Sequence, residues 1–71
     1  MDFRLKVFYT VALRLNFTKA ATELYISQPA VSKHIQELEE TYKTKLFERN
    51  GSKIALTPAG KILLKYHFQI L

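Results

Sequence analysis

Apolar residues in the first fifteen positions recur with the period of a helix. Leu5, Phe8, Ala12 and Leu15 follow one face, and Phe3, Val7 and Val11 form a second apolar row beside it. That sector is wider than one small core requires. Asn16 is expected to end this helix. Phe17 then reads as a staple residue and Thr18 as the N-cap of the next helix, its hydroxyl accepting a free backbone N–H. A short second helix follows from about Lys19 to Tyr25, with Ala20, Ala21 and Leu24 inward; the adjacent alanines let another helix come close.

Ile26 closes a tight connection. Ser27 offers an N-cap and Pro29 fits the first helical turn, where its missing N–H would have had no partner. The third helix is expected over Gln28 to Tyr42, with Val31, Ile35, Leu38 and Tyr42 as its buried stripe. Next, KLFERNGSKIALT reads as two strands, Lys45 to Arg49 and Lys53 to Thr57, around an Asn50-Gly51 turn whose residues tolerate positive φ. Thr57-Pro58 repeats the cap-then-proline signal and opens a fourth helix that runs to the last residue. Ala59, Leu63, Tyr66 and Ile70 lie on one of its sides, and Leu64, Phe68 and Leu71 nearly opposite. A helix apolar on two faces must be covered twice, which a single small domain cannot do. With no C-cap at Ile70-Leu71, the expectation is the front of a longer protein whose fourth helix pairs with another copy.

Composition narrows the chemistry. A chain of 71 residues is one small domain of marginal stability. It has no cysteine for disulfides or thiolate zinc sites, and His34 and His67 stand far apart with no second ligand at metal spacing, so no cofactor is expected. His34 reads as a partly exposed helical residue and His67 as a rim residue of the fourth-helix interface. The start, MDFRLKVFYT, does not read as a signal peptide, and no apolar run is long enough to cross a bilayer. The formal charge of +5 points gently toward an anionic partner. An enzyme is not expected, since no nucleophile, base and orienting group assemble.

Two short helices joined by a tight turn and followed by a hairpin make a mainly α, winged helix-turn-helix domain: a three-helix core plus a β-hairpin wing. Residues 1–57 would form it, with the helix-turn-helix at about 18–37 and the wing at about 45–57, while 58–71 would begin a linker and dimerisation helix. The second helix of such a pair presents its N-terminal end to the major groove. Opposite the Val31 stripe fall Pro29, Lys33, Gln36 and Glu40, with Ser32 at the flank. Lys33 can donate to guanine or phosphate, Gln28 and Gln36 can pair with adenine edges, and Pro29 can touch a thymine methyl. Thr18, Ser27 and the free N–H groups at the helix start suit phosphate. The hairpin tip, Asn50 to Lys53, is small and polar with one cation, which suits a wing lying along the backbone with Lys53 reaching a phosphate or the minor groove, and Arg49 is expected as a further phosphate or wing contact. Glu37, Glu39 and Glu40 supply half of the six acids within four residues and would be repelled by phosphates, so the front must be the reading end. Taken singly, each of these polar residues also fits a plain solvated surface.

In order and spacing, "FTKAATELYISQPAVSKHIQELEE" followed by "LFERNGSKIALTPAG" resembles the N-terminal winged helix-turn-helix domain of LysR-type transcriptional regulators. The resemblance covers essentially the whole chain. It implies a bacterial, cytoplasmic regulator that binds double-stranded DNA at an inverted-repeat operator. It also implies a homodimer formed through the helix starting at Thr57-Pro58-Ala59-Gly60, a tetramer in the full-length protein, and a small-molecule effector bound by a C-terminal domain outside these residues. By position, Gln28, Pro29, Ser32 and Lys33 would make base or backbone contacts and Ser52 and Lys53 wing contacts. The dimer interface would draw on Phe3, Val7, Val11, Leu63, Leu64, Tyr66, Phe68, Ile70 and Leu71. Many members carry arginine where this chain has Lys33, and lysine lacks the rigid bidentate fork, which shifts the expectation toward phosphate. The competing reading is a helical protein-interaction module that docks a partner through helix 58–71.

Overall fold

A computed structural model describes residues 2–70, with side chains through Tyr66. The elements run α1 (Phe3–Arg14), α2 (Phe17–Leu24), α3 (Gln28–Tyr42), β1 (Phe47–Asn50), β2 (Lys53–Leu56) and α4 (Pro58–Ile70). The first three helices pack on one another around Val7, Phe8, Val11, Ala20, Val31, Ile35 and Leu38, all buried. The hairpin closes one end of this core and α4 leans on α1 and β2.

Capping chemistry sets the helix starts. Asp2 accepts from the Arg4 N–H at 2.7 Å, Asn16 from Lys19 at 2.8 Å and Ser27 from Ala30 at 3.2 Å, each satisfying one orphan donor of the first turn. The hydrogen bonds from the Arg4 side chain and backbone hold the Asp2 carboxyl below its ordinary 3.8. A lowered carboxylate stabilises above that value and loses its contribution as pH falls through the depressed one; this pair lies at the surface, where solvent screens it, so the effect is small.

The ends of α2 and α3 share one device. Ile26 N–H bonds the Ala21 carbonyl and Tyr25 N–H that of Thr22, while Thr44 bonds Glu39 and Lys43 bonds Glu40: two Schellman motifs. Their left-handed residues are Tyr25 at φ 58° and Lys43 at φ 54°, and Leu15 ends α1 at φ 48°. None is glycine, so each costs about 1–2 kcal/mol of backbone strain that the surrounding hydrogen bonds must offset.

Several local expectations shift. Helix α2 begins at Phe17, not Lys19, because Asn16 rather than Thr18 adopts the extended cap conformation (φ −160°, ψ 114°). Phe17 is thus a buried first-turn residue, and the Thr18 hydroxyl is released from capping. The strands are shorter than the periodicity suggested. Lys45 and Leu46 lie outside β1, and the Leu46 N–H and C=O are taken by Glu39 and by Thr57 N–H. Thr57 leaves β2 to cap α4, its hydroxyl accepting from Gly60 N–H at 3.0 Å and donating to the Lys45 carbonyl at 2.6 Å. Asn50 pairs with Lys53, so the two-residue turn is Gly51-Ser52. Gly51 alone takes positive φ there (65°), the requirement of a hairpin turn with glycine first. Tyr42 and Leu15, expected inward, are 46% and 45% exposed, since each sits where its helix ends and leaves the core.

Gly60 marks the closest approach between α4 and the foot of the hairpin. A Cβ there would collide with the Leu46 carbonyl oxygen and lie 2.9 Å from Leu56 Cδ2, whereas one on Gly51 would meet nothing. Gly60→Ala should therefore lower stability by about 1–3 kcal/mol through overpacking. Gly51→Ala should cost about 1 kcal/mol from backbone strain alone. Thermal melts of both variants check the order, and an equal cost would show that α4 does not need this approach.

Candidate nucleic-acid interface

The cap at Ser27 and the proline behind it start α3 at the surface, so its first turns protrude from the core. Gln28, Pro29, Lys33 and Gln36 are exposed along this front and Ser32 is half-buried at its flank, which is the edge expected opposite the Val31 stripe. Among the described residues Lys33 and Lys53 make no ion pair, so both cations stay available to an external anion. Ser27 is exposed, and its Oγ accepts from Ala30 N–H as the cap while its hydroxyl hydrogen stays able to donate.

The hairpin brings distant residues together. Thr18, Gln28, Arg49 and Ser52 surround one cleft of about 250 Å³, with the Thr18 hydroxyl donating to Gln28 Oε1 at 3.2 Å. Arg49 lies with its guanidinium carbon 4.5 Å from the centroid of the Phe17 ring. This cation–π contact, about 0.5–1 kcal/mol at an exposed site, presents the guanidinium beside the N-terminus of α2. Ser32, Gln36 and Arg49 also line a broader groove of about 780 Å³ between α3 and the hairpin. Pro29, Lys33 and Lys53 line neither concavity. They are exposed on the front of α3 and at the hairpin tip. The Arg49–Phe17 contact joins residues far apart in the chain and has no local sequence signal.

The acids of α3 are more divided than their clustering suggested. Glu40 is exposed, Glu37 Oε1 lies 3.6 Å from His34 Nδ1, and Glu39 turns inward to the Leu46 and Phe47 amides. The His34 side chain is 29% exposed and packs edge-on against Phe3, with ring centroids 5.4 Å apart. Its Nδ1 is buried without a hydrogen-bond partner. Glu48, on β1, adds an acid to the groove wall.

The expected dimer residues separate into two groups. Val7 and Val11 have no exposed surface; they are interior core, so the second apolar row of α1 serves the domain's own packing and cannot form an interface. Phe3 is 44% exposed, while Leu63 and Leu64 are half-buried against the core. Tyr66 is 58% exposed and stands one turn from Ile62, 56% exposed, which the sequence reading passed over although its i, i+4 spacing to Tyr66 was legible. With Tyr42, Leu46, Ala59 and Leu63 they line an apolar hollow of about 270 Å³. Phe68, Ile70 and Leu71, like His67, lie outside the residues whose side chains are described. Among the described residues no group of acids and histidines could hold a metal ion, and no helix is long and apolar enough to cross a membrane.

Comparison with known proteins places this geometry. Residues 3–61 match the family described as "Bacterial regulatory helix-turn-helix protein, lysR family". The chain is 46% identical over 72 residues to the HTH-type transcriptional regulator CitR of Bacillus subtilis (strain 168), covering 100% of this chain and 25% of that protein. It spans about a quarter or less of the curated relatives it matches first. A crystal structure of a LysR-family transcriptional regulator from Eggerthella lenta DSM 2243 superposes with a TM-score of 0.91 at 46% identity, covering 96% of this chain and 97% of the other. The BenM DNA-binding domain in complex with benA site 1 DNA superposes with a TM-score of 0.90 at 37% identity, covering 99% and 83%. With the helix-turn-helix, the hairpin and the helix behind them all in place, the chain belongs to the LysR family of regulatory helix-turn-helix proteins.

Proposed function

We propose that this chain is the sequence-specific, double-stranded-DNA-binding part of a LysR-type transcriptional regulator. The front of α3 enters the major groove and the hairpin tip lies on the backbone or in the minor groove. The observation that carries the reading is the exposed front of α3, with Lys33 outside every ion pair among the described residues and set between Gln28 and Gln36, and with the acids of α3 confined to its rear. The solved relative bound to benA site 1 DNA supports the same assignment. Gln28, Pro29, Ser32, Lys33 and Gln36 read the groove. Arg49, Ser52 and Lys53 hold phosphate, and the free amides at the start of α3 add to them; the Ser27 hydroxyl accepts in the cap and keeps its hydrogen for a phosphate, whereas the Thr18 hydroxyl reaches one by exchanging its bond to Gln28. The compartment is the cytoplasm.

Size argues for two copies on one operator. The domain extends 27 × 26 × 20 Å. Successive major-groove faces on one side of a duplex lie about 34–36 Å apart, so one copy reads one half-site and an inverted repeat needs a pair. The apolar hollow of α4 with Ile62 and Tyr66 supplies the pairing surface. In the whole protein further assembly into a tetramer and effector binding belong to the portion beyond this chain.

Lys33→Ala should weaken binding to a selected duplex by roughly 1–3 kcal/mol and leave random duplex nearly unaffected, whereas Lys53→Ala should weaken both alike and reduce the salt slope by about 1. Fluorescence anisotropy at several salt concentrations separates the two, and equal losses for Lys33→Ala on both duplexes would remove its base-reading role. Ile62→Asp should leave the melting temperature of the unassociated domain, measured at low concentration, nearly unchanged, since the side chain is 56% exposed, yet abolish self-association in sedimentation equilibrium. Self-association as strong as in the wild type would move the pairing surface elsewhere.

A further inference from the structure

Glu39 sits in the rear half of α3, where an acid is unfavourable to the helix dipole and would face phosphates with repulsion. Its side chain is only 13% exposed, so it is not a solvated surface acid. Its Oε2 accepts from the backbone N–H groups of Leu46 at 2.9 Å and Phe47 at 3.4 Å, and its Oε1 stands 3.7 Å from Lys45 Nζ. Those amides are the foot of the hairpin. Hydrogen bonds to an ionised acceptor are roughly twice as strong as neutral ones, so a carboxylate here is a stiff link.

The link continues on the far side. Thr57 N–H bonds the Leu46 carbonyl at 3.1 Å, the Thr57 hydroxyl bonds the Lys45 carbonyl at 2.6 Å, and Gly60 N–H bonds that hydroxyl at 3.0 Å. The helix proposed to read bases, the foot of the wing and the first turn of α4 are thus joined by continuous hydrogen bonds. Among the described residues Glu39 is the α3 side chain that hydrogen-bonds this foot.

We infer that Glu39 is a positioning residue for DNA recognition: its carboxylate sets the separation between the front of α3 and the hairpin tip, so that both reach one duplex together. The inference rests on the DNA-binding reading. Two contact patches on a rigid body engage at little extra entropic cost, whereas a wing free to swing must be ordered on every encounter.

The test is a double-mutant cycle of Glu39 and Lys53, read as affinity of the chain for a random-sequence duplex. In the wild-type background Lys53→Ala should weaken binding about fivefold, and in Glu39→Ala less than about twofold, because the wing, still seated by Phe47, is no longer fixed in its distance from α3. Glu39→Gln keeps an acceptor oxygen for both amides without the charge and should restore most of the effect. An undiminished Lys53 effect in Glu39→Ala, or an equal loss in Glu39→Gln, would overturn the inference. Hydrogen exchange of the Leu46 and Phe47 amides in the free protein is measured alongside. It should accelerate in Glu39→Ala and clearly less in Glu39→Gln, and unchanged exchange in Glu39→Ala overturns the link whatever the DNA does. Because exchange needs no DNA, a wild-type chain that fails to bind duplex sinks the DNA-binding reading, and the positioning role with it, on separate grounds. Should Glu39→Ala not fold, Glu39→Asp, shorter by one methylene, takes its place.

Discussion

A hairpin of two four-residue strands has too little surface of its own to stand alone in water, so everything the wing does depends on how it is tied to the helices. Phe47 ties it. Of the four residues of β1 it alone is buried, with its ring centroid 5.4 Å from that of Phe8 on α1 and 6.0 Å from that of Phe17 on α2. Burying one such side chain contributes about 1.5–3 kcal/mol, and the aromatic pairs add to it. Leu46 beside it is 1% exposed. The anchor acts at the foot and leaves Glu48 to Lys53 in solvent, so the tip projects while its base is part of the core. Arg49 over Phe17 gives a second, weaker point of attachment on the same aromatic ring.

That arrangement organises the charge. The net charge of +5 would be unremarkable if spread evenly over so small a surface. The fold removes acids from the side that matters: Arg14 holds Glu23 at 2.6 Å on the α1–α2 seam, and Glu39 is spent on the hairpin foot. The exposed pair is worth at most about 1 kcal/mol for stability. Its consequence is electrostatic, since Lys33 and Lys53 stay without an ion pair while Glu23 and Glu39 are occupied, and Glu48 on the groove wall and Glu40 on the rear of α3 are the acids left exposed nearby.

Helix α4 is held more lightly. Its contacts with α1 and β2 half-bury Ala59, Leu63 and Leu64, and its start is fixed by Thr57 and by the close approach at Gly60. A small domain buries a limited share of its surface, so leaving Ile62 and Tyr66 uncovered is costly unless a second copy covers them. Self-association would then supply stability together with the spacing of two reading helices.

How much of this was legible in the chain follows from how local each cause is. The caps at Ser27 and Thr57, the span of α3, the Val31–Ile35–Leu38 stripe and the alanine pair of α2 depend on neighbours within a turn or two, and the residue order determined them. The same locality made the front of α3 readable as a polar edge. The chain also carried the family resemblance, because spacing of caps, core and hairpin is itself sequence. What needed the tertiary structure were choices between residues equally fit for one role. Asn16 outcompeted Thr18 as a cap, Val7 and Val11 went to the core and not to an interface, and Glu39 left its charged neighbours for two amides across the turn. Each was decided by the partner that folding brought near. Hydrophobic period and capping preference say which residues leave water, and only the packed arrangement says against whom.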